Sequence, residues 1–233
     1  MTYTHSNISH AYIEPEMKLF ELIDAYPSVV SIFSRLNITL PFGDISIAEM
    51  CERDGHNVEL FIMLCNMHID SSYRPERGVL RATMLPEVVG YLRASHRYYA
   101  QYMLPHVARH LDEILSHCDT LSKRVLSSFY EEYTRYVMSH FDFEENNIFA
   151  PIERAEQSNV RDLESLEDPH GDIDDRTNDI ASLIIKSLPE VVPTPLRCAM
   201  LDDIYALRDD LRTHSNIEIF MLRPLVDGTL KME

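Results

Sequence analysis

His140-Phe-Asp-Phe-Glu144 and His214-Ser-Asn-Ile-Glu218 are one pattern, H-x-x-x-E, occurring twice in the chain. Each copy runs into an apolar stretch and a proline, Ile148-Phe149-Ala150-Pro151 and Ile219-Phe220-Met221-Leu222-Arg223-Pro224. On a helix, positions i and i+4 lie nearly one above the other, so each copy aims an imidazole and a carboxylate at the same spot. Two such helices facing each other bring together two histidines and two carboxylates. Imidazole suits iron, zinc and copper, and carboxylates can bridge two metals. A single H-x-x-x-E in an acidic chain is what a solvated helix face makes by chance. The repeat, with matching punctuation after it, asks for more.

The rest of the chain favours helices. Its 233 residues are 45% hydrophobic and 25% charged, with only 6 glycines and no tryptophan, a poor composition for a turn-rich sheet protein. A net charge of −17 argues against nucleic acid or an anionic membrane as principal partner. The N-terminus lacks the basic and apolar regions of a signal peptide, and no run approaches a membrane span. Cys51, Cys65, Cys118 and Cys198 are scattered without C-x-x-C spacing. The expectation is a cytoplasmic protein with free, mostly buried thiols.

Residues 1–14 read as a polar tail and 15–70 as a small helical domain. In that domain Pro27 opens a helix, Leu40-Pro-Phe-Gly-Asp44 turns, Ser46 caps, and a further helix covers about Asn57 to Met67. Residues 71–80 form a linker around Ser71-Ser-Tyr-Arg-Pro-Glu-Arg-Gly78, and 81–228 hold four long helices. These are expected over about Pro86 to His117, from the turn at Cys118 to Ala150, over Asp168 to Leu188, and from Pro195 to Arg223. Pro151 and Pro224 are the expected stops. Short connections make this an all-α, antiparallel four-helix bundle preceded by the small domain.

An antiparallel bundle allows a test of level, because residues equally far from the turn joining two helices share a height. His96 and His140 each lie about 22 residues from the first turn, and His170 and His214 about 22 from the second, near residue 192; at about 1.5 Å per residue all four stand at one level. Glu144 and Glu218 are one turn away. His5, His10, His56 and His68 have no such support and are read as structural. His106 and His110 form an i,i+4 pair about 15 to 21 Å along the helix from His96, and are read as a solvated pair. His117 falls about 31 Å from His96 in a straight helix. Asp174 faces the same way as His170 and is weighed as an extra ligand or a hydrogen-bond acceptor behind one, against a solvated place in an acidic run.

The order His96, His140-x-x-x-Glu144, His170, His214-x-x-x-Glu218 resembles the hemerythrin-like, cation-binding HHE domain. The segments Ser139 to Ile152 and Thr213 to Pro224 look like its second- and fourth-helix signatures. The small helical domain in front looks like the repair of iron centres family, di-iron proteins linked to restoring iron–sulfur clusters after nitrosative or oxidative stress. The resemblance implies two non-haem iron ions, with His96, His140, His170 and His214 as terminal ligands and Glu144 and Glu218 bridging. It also implies NO, O₂ or peroxide as small-molecule partners, or a sensing module that signals to a protein partner through the N-terminal domain. His117 has a counterpart in that family as well. Two features depart from the pattern. Leu40-Pro-Phe-Gly-Asp44 stands where the family carries a Cys-Cys pair, and Asp174 stands where oxygen carriers have a second histidine.

Overall fold

The computed structural model describes residues 13–154 and 167–230, and their side chains except those of 167–170, 229 and 230. It is all-α, an antiparallel four-helix bundle with a set of short helices at one end. The short helices are α1 (Leu19–Ala25), α2 (Val30–Leu36), α3 (Ile47–Asp54) and α4 (Val58–Ile69). Their ends follow local chemistry. Ser46 and Glu49 form a reciprocal capping box on α3, and Asn57 caps α4 by accepting from Leu60 N–H. Pro27 opens a 3-10 turn that leads into α2.

The first bundle helix is built from α5 (Leu85–Tyr98), a π-helical turn at Tyr99–Met103 and α6 (Leu104–Ser116). The second comprises α7 (Thr120–Glu144), a π turn at Glu145–Phe149 and α8 (Ala150–Glu153). The third is α9 (Glu167–Lys186). The fourth joins α10 (Thr194–Ile217), a π turn at Glu218–Leu222 and α11 (Arg223–Leu230). Asp119 caps α7 through two backbone N–H groups, and the Arg197 guanidinium donates to Leu188 and Val192 carbonyls across the second bundle turn. The connection between α8 and α9 lies outside the described residues.

Pro151 and Pro224 do not stop their helices, contrary to the expectation. Helix two continues to Glu153 and helix four to Leu230. The cause is the same at both, and at Pro105. Each proline is preceded at one remove by a π turn, closed by an N–H donating five residues back: Leu104 to Tyr99, Ala150 to Glu145, Arg223 to Glu218. A proline in a regular helix loses one hydrogen bond and pushes its ring against the carbonyl four residues back. The wider turn takes up that conflict, and the helix runs on.

Two apolar clusters fill the interior. One lies in the far half of the bundle, from Tyr99, Val107 and Ile114 through Val137 and Phe141 to Ile180, Ile204 and Leu211. The other takes Leu22, Ile32, Met50, Phe61 and Leu64 of the short helices together with Val88, Leu92, Ile148, Phe149, Ile217, Met221 and Val226 of the bundle. The N-terminal helices thus share one core with the near end of the bundle. Of the four free cysteines, Cys51, Cys65 and Cys118 are buried and Cys198 is exposed.

A buried polar contact joins the same two parts. The Arg35 guanidinium on α2 grips both oxygens of Asp210 on α10 and donates to Tyr91 Oη at 3.2 Å. The Asp210 carboxyl is held below its usual range because the Arg35 charge outweighs burial. Breaking a buried pair strands the remaining charge. Arg35→Ala is therefore expected to cost about 3–5 kcal/mol of unfolding free energy in urea titrations. A loss within about 0.5 kcal/mol, the range of ordinary surface substitutions, would show that the pair holds nothing together.

Candidate metal centre

The boundary between the two apolar clusters is a polar layer. Along the first helix His96 lies between Leu92 of one cluster and Tyr99 of the other; along the second, Glu144 lies between Phe141 and Ile148. On the fourth, His214 follows Leu211 and Glu218 follows Ile217. Apolar packing on both sides keeps water from the layer. Glu144 and Glu218 are 0% exposed. Residues four apart on one helix face meet here as expected: His140 Nε2 is 3.1 Å from Glu144 Oε1, and His214 Nε2 is 3.2 Å from Glu218 Oε1.

The helices then converge. Glu144 turns its second oxygen, Oε2, to His96 Nε2 at 3.2 Å, so one carboxylate spans histidines from two different helices. His96 Nε2 also lies 3.1 Å from His214 Nε2. One donor atom from each of His96, Glu144, His214 and Glu218 falls within 4.8 Å of all the others. His140 joins this group through Glu144. His170 stands in α9, but its side chain lies outside the described residues. His117 is the exposed C-cap of α6 and is not brought to the layer. Asp174 turns to Arg212 in a bidentate ion pair at 2.6 and 2.7 Å.

The surroundings orient these groups. His96 stacks on Phe141 with ring centroids 4.1 Å apart and on Phe149 at 5.4 Å. Its Nδ1 meets Glu145 Oε1 at 3.0 Å, which leaves Nε2 directed at the cluster. Glu145 is itself held by Arg93, Nε to Oε2 at 2.9 Å. Sequence reasoning missed both. The doubled Glu144-Glu145 was the available signal for one; Arg93 gave none, because its role arises only where two helices meet. The Tyr99 and His214 rings stand nearly perpendicular with centroids 5.8 Å apart, and the Tyr99 hydroxyl donates to the Asp210 carbonyl.

Electrostatics favours a cation in this layer. Burial opposes a charged His96, yet its hydrogen bonds to Glu144 and Glu145 and the nearby Glu218 charge outweigh that and lift it to about 9. Burial pushes His214 below its ordinary range, beyond the opposing pull of Glu218. Two buried, ionised carboxylates repel each other, and a cation between them relieves that repulsion. Imidazole nitrogens and carboxylate oxygens, converging without a thiol, suit borderline divalent metals. The residues present therefore fit a metal centre.

A small cavity of ≈ 20 Å³ adjoins His140 and His214, walled by Phe141, Ile173, Thr177 and Leu211, with Arg208, Arg212 and Asp174 also lining it. A space of that size takes one water-sized molecule and nothing much larger.

Among the described residues no helix is long and apolar enough to cross a membrane. Comparison with curated proteins gives no match. The sequence model of the hemerythrin HHE cation-binding domain matches residues 87–226, a span holding all of the converging histidines and carboxylates. Fold, buried donor set and sequence match agree, and the chain belongs to the hemerythrin HHE cation-binding family, whose domain binds metal cations.

Proposed function

We propose that this protein holds two non-haem iron ions and uses them on a small ligand, NO, O₂ or peroxide, in iron–sulfur cluster repair or a related stress response. The observation that carries the reading is Glu144, whose two oxygens reach His96 and His140 on separate helices with buried Glu218 beside them. A carboxylate so placed is suited to bridge two cations. His96, His140, His170 and His214 would be the terminal ligands, and Glu144 and Glu218 the bridges. Bound iron would supply open coordination positions and one-electron chemistry.

The chain's own groups do the rest. Glu145 and the stacked Phe141 and Phe149 fix the His96 ring, and the two apolar clusters keep bulk water out. The small cavity beside His140 and His214 has room for a ligand of about that size. Purified protein tests the reading: about two irons per chain are expected, with an optical spectrum that changes on reduction and on adding NO. Less than one iron per chain after anaerobic reconstitution would remove it.

A second reading has a specific observation behind it. Arg35, on the N-terminal helices, holds Asp210, one helical turn before His214. A change at the metal layer could thus reach the N-terminal helices and a protein partner docked on them, as a sensor of O₂, NO or iron requires. Turnover of NO or peroxide under reducing conditions favours the first reading. Stoichiometric binding without turnover favours the second.

A further inference from the structure

His106 and His110 stand one turn apart on α6, and Asp203 faces them from α10. His106 Nε2 lies 3.3 Å from Asp203 Oδ1. His110 Nδ1 meets the other oxygen, Oδ2, yet neither of these two buried atoms completes a hydrogen bond. The two imidazole centroids are 4.5 Å apart. One donor from each residue falls within 4.8 Å of the other two. The group is separate from the buried layer, about 15 Å along the helix from His96.

An ion pair alone accounts poorly for this arrangement. One carboxylate neutralises one imidazolium, and two imidazolium rings this close would repel each other. Two neutral imidazoles and a carboxylate instead converge three lone pairs, which a single divalent cation satisfies together. Metal bonds of about 2.0–2.1 Å at a tetrahedral angle separate their donor atoms by about 3.4 Å, close to the His106–Asp203 spacing. Three protein ligands with a fourth position left to water is the pattern of an open zinc site. His106 and Asp203 also line an open hollow with Gln101, Tyr102, Met103 and Arg109, which leaves room for water beside them. The His106 and His110 side chains are 41% and 36% exposed, so an ion can exchange with solvent.

We propose that His106, His110 and Asp203 form a second cation site that takes one borderline divalent ion, zinc(II) being the best fit. The test uses full-length protein, its buried centre loaded, titrated with zinc(II) against a chromophoric chelator. Wild type is expected to take up about one zinc more per chain than the His106→Ala/His110→Ala double variant. Asp203→Asn, which keeps the side-chain size, is expected to weaken that zinc at least about tenfold. Iron content and circular dichroism of each variant report whether the bundle is intact. Should the double variant fail to fold, Asp203→Asn decides alone. Equal zinc uptake and affinity in wild type and the folded variants would overturn the proposal.

Discussion

Glu144→Ala is expected to lose most of its bound metal, and Glu218→Ala to do the same or to leave a single ion without magnetic coupling. Both carboxylates are fully buried, and Glu144 serves His96 and His140 at once. Without the carboxylate, two cations would sit in an apolar interior with their charge uncompensated, a state worth several kcal/mol against binding. Metal affinity should fall by at least about a hundredfold, beyond what loss of a mere orienting partner does. Melting temperature is a second readout: metal that binds only the folded state stabilises it, so added metal should raise the melting temperature of wild type far more than that of the variant. Unchanged iron content and unchanged coupling in both variants would remove the di-iron assignment.

His96→Ala should cost metal just as fully, and His117→Ala should leave occupancy and spectrum near wild type. Family resemblance nominates both histidines, but the first bundle helix admits only one. It is unbroken from Leu85 to Ser116, its proline accommodated by the π turn, so His117 ends about 30 Å from His96 along the axis. His96 is buried against Phe141 with Nε2 among Glu144 and His214, while His117 is exposed at the far turn. Metal analysis of the two variants side by side settles the matter. Equal loss in both would mean that the first helix breaks in solution.

Much of the site was legible before any coordinates. Helical periodicity and the counting of residues from each turn put His96, His140, His170 and His214 at one height, with Glu144 and Glu218 a turn away. The structure brings His96, His140, Glu144, His214 and Glu218 together, and the His170 side chain lies outside the described residues. Such counting is possible because the rise of a helix is constant and antiparallel neighbours share their turns. Capping by Ser46 and Asn57 was legible for a similar reason, since the bonded groups lie within three residues. The proline stops were misjudged at Pro151 and Pro224, because the rule that proline ends a helix omits the π turn that absorbs it.

What the sequence determined alone is thus whatever depends on short, regular spacing: helices, their caps and the i,i+4 meeting of His140 with Glu144 and of His214 with Glu218. The tertiary structure decided what depends on residues far apart in the chain. It placed the N-terminal helices in one core with the bundle end, paired Arg35 with Asp210, and set Arg93 and Glu145 behind His96. It also turned the solvated-looking pair His106 and His110 toward Asp203, 93 residues further on than His110. None of these has a local signature. Whether such groups meet is fixed by helix packing and by rotation about each helix axis, which a single inserted residue in a π turn changes.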